Sequence, residues 1–316
     1  MACCVAVENL QVIRYIWNNY NDAGTGWVMI LINYYIVPEM RSLWNALSTQ
    51  IERGVIMRKL LLVLLLFVTA GVQAESTVFI TGSNRGIGLG LVKEYAAHGW
   101  RVIATCRNPQ SAQELQALAQ ANNRIIIEQL DVTDSAGIAA LAGKYQNQPI
   151  DVLINNAGLL PVDEWNKPFK ELDFDYARRV FDVNTFAPVR IMQAFMDHIA
   201  ASGEKKIVNI SSQAGSFANA SHQPRRYVYR GSKAALNMFT FDIADELGQL
   251  GITTVALHPG VVHSQTDESF EEAKQRFPGL ITVAESAGKI YRTVAALTPA
   301  DNGKFFSYEP GVEMSW

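Results

Sequence analysis

From Ser76 onward, short apolar runs alternate with segments of helix length. The runs are STVFIT (Ser76 to Thr81), RVIATC (Arg101 to Cys106), IIIEQLDV (Ile125 to Val132), IDVLINNAG (Ile150 to Gly158), KKIVNISS (Lys205 to Ser212), ITTVALHPG (Ile252 to Gly260) and KFFSYE (Lys304 to Glu309). Strands that alternate with helices need crossover connections, which predicts a parallel sheet covered by helices. The near-continuous apolar character of the runs predicts burial on both faces. The expected fold class is therefore α/β, a doubly wound parallel sheet of seven strands, one for each run, in a single domain over residues 75–316. Within it, PQSAQELQALAQA (Pro109 to Ala121) is expected as one helix, with Asn108 as its cap and Pro109 at its first position.

The front of the chain follows another pattern. Met57, Arg58 and Lys59 precede a charge-free run of 15 residues from Leu60 to Ala74. A basic start, a short apolar centre and a small residue at the end form the layout of a secretory signal or anchor segment, here 57–74. A spanning helix wants about 20 residues, so spanning is the weaker reading, although anchoring through 58–74 stays open. Such leaders stand at a true N-terminus, yet 56 residues come before Met57 and hold three of the six tryptophans. Residues 1–56 are therefore expected to be an over-extended translation.

Composition narrows the partners. A net charge of −3 gives no reason to expect nucleic acid. Of three cysteines only Cys106 falls in the regular region, so no disulfide framework is expected there and the thiol reads as reduced and packed. The five histidines are scattered without zinc-site spacing, so no metal is expected.

TGSNRGIG (Thr81 to Gly88) lies where the first strand turns into the first helix. Gly82, Gly86 and Gly88 would let the backbone approach a pyrophosphate seated at the helix N-terminus. An NAD-type site tends to carry an acid about 20 residues after the glycines, on the ribose. Cys106-Arg107 stands there instead. Arg107, with help from Arg85 in the glycine turn, could pair bidentately with a 2′-phosphate. NADP(H) is thus favoured, with NAD(H) as the alternative.

Farther on, Tyr229 and Lys233 stand four apart, so they share one helix face. A neighbouring cation favours a phenolate and lowers the phenol's pKa from near 10. Ser211 and Ser212 lie on opposite faces of an extended strand. Tyr227 would sit six residues from Lys233 and reads as packing or a pocket wall. Arg225 and Arg226 read as solvated loop residues, with an acidic substrate as the other reading. His263 reads as a surface residue.

TGSNRGIG, NNAG (Asn155 to Gly158), Ser212 with Tyr229-x-x-x-Lys233, and HPG (His258 to Gly260), in this order, resemble the short-chain dehydrogenase/reductase family over residues 76–316. VIATCRNP, YRGSKAALNM, ALHPG and the ending from Gly303 to Trp316 are similar to its C-factor and sniffer-like carbonyl reductase branch. The resemblance implies a Rossmann fold and a catalytic set of Ser212, Tyr229, Lys233 and Asn184. It implies cofactor contacts from Gly82, Arg85, Gly86, Ile87, Gly88, Arg107, Asp131, Val132, Asn156, Ala157, Gly158, Tyr229, Lys233, Pro259, Gly260 and Ser264, with Asn155 supporting the cofactor from the end of strand four. Asn184 is expected to hold a water linking Lys233 to solvent. Ser264 stands where threonine is commoner, but the hydroxyl is kept.

The implied activity is NADP(H)-dependent interconversion of a small carbonyl and an alcohol, with Tyr229 as general acid and base. The alternative is a dinucleotide-binding signalling protein of C-factor type without turnover. A homodimer or homotetramer is implied, the helix from Tyr229 being a candidate interface. Substrate choice is expected from loops near 159–170, 213–226 and 264–282. The catalytic domain is expected in the cytoplasm, where NADPH is plentiful, with membrane-associated or exported forms as the alternatives that the leader raises.

Overall fold

The computed structural model describes residues 75–160, 167–219, 225–264 and 269–316. The leader and everything before it lie outside the described residues. Glu75–Trp316 forms one compact unit. Its strands are β1 (Thr77–Ile80), β2 (Arg101–Cys106), β3 (Ile125–Gln129), β4 (Val152–Asn155), β5 (Lys206–Ile210), β6 (Thr253–His258), β7 (Val261–Val262), β8 (Leu280–Ile281), β9 (Phe305–Ser307) and β10 (Glu313–Met314). Its helices are α1 (Gly86–Ala97), α2 (Gln113–Ala121), α3 (Ser135–Lys144), α4 (Phe174–Phe181), α5 (Ala187–Ala200), α6 (Tyr227–Gly248), α7 (Phe270–Arg276) and α8 (Val283–Ala296).

The main sheet runs β10-β9-β6-β5-β4-β1-β2-β3. Each of the seven expected runs supplies one parallel strand, and β10 adds an antiparallel pair with β9 at the edge. Alternate residues of β1 feed two cores. Val78 and Ile80 pack on one face with Leu91, Tyr95 and Leu115, and Phe79 packs on the other with Ile103, Ile191 and Phe195. This two-sided burial is why the strands read as unbroken apolar runs.

The helix expected over Pro109 to Ala121 is divided. Pro109–Ser111 forms one 3₁₀ turn, and α2 begins only at Gln113, with Ala112 between them. The Asn108 side chain makes no capping bond. Its main-chain oxygen instead accepts from Ser111 Oγ at 3.1 Å. Ala112 is buried beside Leu115, and holding it there takes the chain out of helical geometry at that residue. No helix among the described residues is long and apolar enough to cross a membrane.

Candidate active site

Strand order reverses between β1 and β4, so the loops that follow these two strands diverge and leave a crevice at the carboxyl edge of the sheet. The loop after β1 is the glycine turn. Gly82 has φ +67°, and a Cβ there would lie 2.9 Å from Ala157 Cα. A Cβ on Gly88 would lie 2.2 Å from the Gly82 oxygen. The turn can fold against α1 and the loop after β4 only because both positions lack side chains. Ile87 packs its side chain against the core beneath.

Thr81 Oγ1 accepts from the Asn156 and Ala157 amides, each at 3.0 Å. Asn156 Nδ2 returns bonds to Thr81 O at 2.9 Å and Gly82 O at 3.1 Å. The two loops are thereby locked together. The α1 N-terminus has no acidic residue in its first turn, so its unpaired N–H groups and positive dipole end suit an anion. This cradle fits a dinucleotide pyrophosphate.

Asn155 departs from its expected role. Its side chain turns into the sheet, where Nδ2 donates to Asn209 Oδ1 at 2.8 Å. Strand alternation places Asn155 inward and Asn156 at the crevice.

Arg107 follows β2 and is exposed, as is Arg85 in the glycine turn. Asp131 follows β3, and Val132 beside it is buried. Burial pushes the Asp131 carboxyl up. Bonds from Thr133 N at 2.9 Å and Thr133 Oγ1 at 2.7 Å, with the Arg107 charge, outweigh this and hold it below the usual carboxylate range. Ser264 reaches the glycine turn, its Cβ 3.5 Å from where a Gly86 Cβ would stand. Pro259 O accepts from Ser286 Oγ at 2.7 Å, and Gly260 takes φ +89° before the short β7–β8 ladder.

The second cluster sits beyond β5. Ser211 Oγ donates into the interior to Asn237 Oδ1. Ser212 faces the other way, and its side chain acts to lower the pKa of the Tyr229 phenol. The Ser212 hydroxyl also accepts from Ala214 N at 3.2 Å, which caps the 3₁₀ turn Gln213–Gly215. Tyr229 lies in the first turn of α6, and Lys233 follows one turn later, 6% exposed, with Nζ donating to Ile210 O at 2.8 Å.

Burial pulls the Lys233 pKa down to about 8. Burial also pushes the Tyr229 phenol above its ordinary value, outweighing the Ser212 side chain and the Arg226 charge that lower it. This corrects the expectation of a phenol lowered by Lys233. The loss of solvent around the ring is the largest cause and outweighs the groups that lower the phenol.

Asn184 is fully buried in a π-helical turn, Asp182–Phe186, between α4 and α5. Its Oδ1 accepts from Leu159 N at 2.7 Å, and Nδ2 donates to Leu159 O at 3.0 Å and Ser232 Oγ at 3.1 Å. A Cβ on Gly158 would lie 3.4 Å from Asn184 Oδ1 and 4.0 Å from Lys233 Nζ, so this glycine keeps open the space they share.

Two contributors, Thr81 and Ser232, escaped the sequence reading, and a third, Arg226, reads from sequence as a solvated loop residue. Thr81 ties the two cofactor-side loops together, Ser232 joins Asn184 to the Tyr229 carbonyl through a 2.8 Å bond, and Arg226 brings charge to the phenol. Ser232 stands three residues after Tyr229, a spacing that lets a serine bond back along its own helix. Arg226 takes φ +63° immediately before α6, a backbone state that residue type does not announce.

Among the other residues weighed, Tyr227 is exposed and meets Phe169 edge-on, with ring centroids 6.0 Å apart. His263 is partly buried against Phe270. Cys106 is buried and unpaired, and burial raises its pKa. No group of three metal-ligating side chains occurs among the described residues.

A family model described as short chain dehydrogenase matches residues 76–275. The NADPH-bound carbonyl reductase from chicken fatty liver is 34% identical, with a TM-score of 0.68 over 77% of this chain and 100% of that one. The carbonyl reductase Sniffer of D. melanogaster is 29% identical, with a TM-score of 0.69 over the same shares. The C-signal protein of Myxococcus xanthus is 34% identical over 177 residues, 56% of this chain and 99% of its own.

Proposed function

The chain belongs to the short-chain dehydrogenase family, and we propose that it is an NADP(H)-dependent oxidoreductase that interconverts a small carbonyl and an alcohol, with Tyr229 as general acid and base. The observation that carries this reading is the placement of Ser212 where it acts on the Tyr229 phenol, with Lys233 buried one helical turn away. The solved carbonyl reductases named above support the substrate class, and the chicken enzyme's bound NADPH supports the cofactor.

Bound NADP(H) supplies the hydride chemistry. Gly82, Gly86, Ile87 and Gly88 receive the pyrophosphate, with Asn156, Ala157 and Gly158 closing the crevice. Arg85 and Arg107 hold a 2′-phosphate, and Asp131 and Val132 flank the adenine. Pro259, Gly260 and Ser264 take the nicotinamide end. NAD(H) fits less well, because no acid stands at the end of β2.

In the reducing direction Tyr229 gives its phenolic proton to the carbonyl oxygen. Burial keeps the phenol protonated at neutral pH, as a general acid requires. The Ser212 hydroxyl holds the same oxygen and opposes the charge that develops on it. Lys233, cationic below about pH 8, favours the phenolate left behind. A water in the space beside Gly158, held by Asn184, would link Lys233 to solvent. In the oxidising direction the phenolate takes the alcohol proton instead.

A second reading follows from the C-signal relative: a dinucleotide-binding signalling protein without turnover. NADPH oxidation across a panel of aldehydes, ketones and quinones, with NADH and Tyr229→Phe in parallel, separates the two. The reductase reading expects NADPH-dependent turnover that falls by about 10²-fold or more in the phenylalanine variant, with NADPH affinity kept. NADPH binding without turnover of any carbonyl would favour the signalling protein.

A further inference from the structure

The last residues of the chain reach back to the segment that carries Ser212. The Trp316 main-chain oxygen accepts from Ala218 N at 3.1 Å. The Ser315 carbonyl accepts from Ser216 Oγ at 2.9 Å and from Asn219 Nδ2 at 3.0 Å. The Trp316 ring lies flat on Phe305, with centroids 5.3 Å apart and planes at 18°, and meets Phe241 of α6 edge-on at 5.9 Å. Phe305 is fully buried in β9. The tail therefore ties Ser216–Asn219 to the sheet through an aromatic anchor.

That segment is seated on its other side by Gly215. A Cβ there would lie 2.6 Å from the Lys233 carbonyl carbon and 2.8 Å from Ala234 N. The turn that holds the Ser212 hydroxyl is thus pressed on the backbone of Lys233 at Gly215 and clamped by the tail from the next residue onward. Phe217, 87% exposed, gives the segment no apolar anchor of its own.

We propose that Trp316 is a positioning residue for the carbonyl step: by anchoring the tail on Phe305 it clamps Ser216–Asn219 and thereby fixes the Ser212 hydroxyl against Tyr229. The inference rests on the reductase reading for its consequence in turnover, but not for the clamp. The glycine cradle lies on other loops, and Tyr229 and Lys233 are held by α6 itself, so loosening the tail disturbs Ser212 on the carbonyl side and leaves NADPH affinity alone. Trp316→Phe keeps an aromatic ring on Phe305 and retains the function.

The test compares wild type, Trp316→Ala and Trp316→Phe in the full chain by hydrogen exchange, NADPH affinity and steady-state kinetics. In Trp316→Ala, amide protection across Ala214–Asn219 is expected to fall by about tenfold or more. Carbonyl kcat/KM is expected to fall by roughly ten- to a hundredfold, because small displacements of a positioned group are costly. NADPH affinity is expected to stay unchanged, and Trp316→Phe to recover most of both losses. Unchanged exchange in Trp316→Ala would overturn the clamp whatever the turnover. Lost protection with unchanged kcat/KM would overturn the positioning role, as would a parallel loss of NADPH affinity. A wild type that turns over no carbonyl would strike the reductase reading, while the exchange measurement still decides the clamp.

Discussion

Lys233 carries the sharpest conflict between stability and chemistry. It is 6% exposed, and its pKa of about 8 lies below the 10.5 of an ordinary lysine. Between those values the unfolded chain binds more protons than the folded one, so the lysine makes stability rise with pH across that window. Below about pH 8 both states are protonated, and the burial penalty stands in full at roughly 3 kcal/mol. Lys233→Met is expected to abolish turnover while matching or exceeding wild-type stability at pH 7.5. The stability gap between variant and wild type should shift by about 2 kcal/mol in favour of wild type between pH 7.5 and 9.5. Urea unfolding at the two pH values measures it. A gap independent of pH would show that the lysine bears no such penalty.

At the scale of elements, the cofactor side depends on one tight junction between the glycine turn and α1. The Gly82 oxygen stands 2.2 Å from the place a Gly88 Cβ would take, and Asn156 Nδ2 stands 2.6 Å from it. Gly88→Ala must therefore push the turn off the helix and break the Asn156 bonds. It is expected to weaken NADPH binding by tenfold or more, since the pyrophosphate loses its approach to the backbone, with the far-ultraviolet spectrum kept. Cofactor titration by fluorescence checks this, and wild-type affinity would refute it. The glycines were legible in sequence because a turn between strand and helix admits few other residues. The shared helix of Tyr229 and Lys233 and the opposite facing of Ser211 and Ser212 were legible for a similar reason, since helix and strand periods fix which side chains share a face. The break before α2 was not, because Asn108-Pro109 satisfies the local rules for a helix start, and the burial of Ala112 that overrides them is tertiary. Nor was β10, whose two residues are too short to show a period. The Tyr229 pKa was misjudged because sequence shows the neighbouring cation but not the loss of solvent around the ring.

For the whole molecule, every strand pairing described lies within Glu75–Trp316, as do both apolar cores. A chain that keeps all its strand partners and both cores has what cooperative folding needs. We therefore propose that residues 75–316 are a self-sufficient domain; the basic start and short apolar run of 57–74 separately carry the proposal that this segment is a leader and that the natural chain starts at Met57. N-terminal peptides of the natural protein that cover Trp17 or Trp44 would refute that start. Expressed alone, residues 75–316 are expected to unfold in one transition, with NADPH raising the midpoint by linkage. Sedimentation of the same fragment tests for a homodimer, which we place on α6, where Met238, Phe239 and Phe241 are exposed beside Phe186. Exposed apolar side chains grouped in this way mark association surfaces. Met238→Lys with Phe241→Lys is expected to convert a dimeric fragment to monomer without lowering NADPH affinity. A fragment that aggregates or unfolds without cooperativity would show that the domain needs residues before Glu75, and a monomeric wild-type fragment would remove the α6 interface.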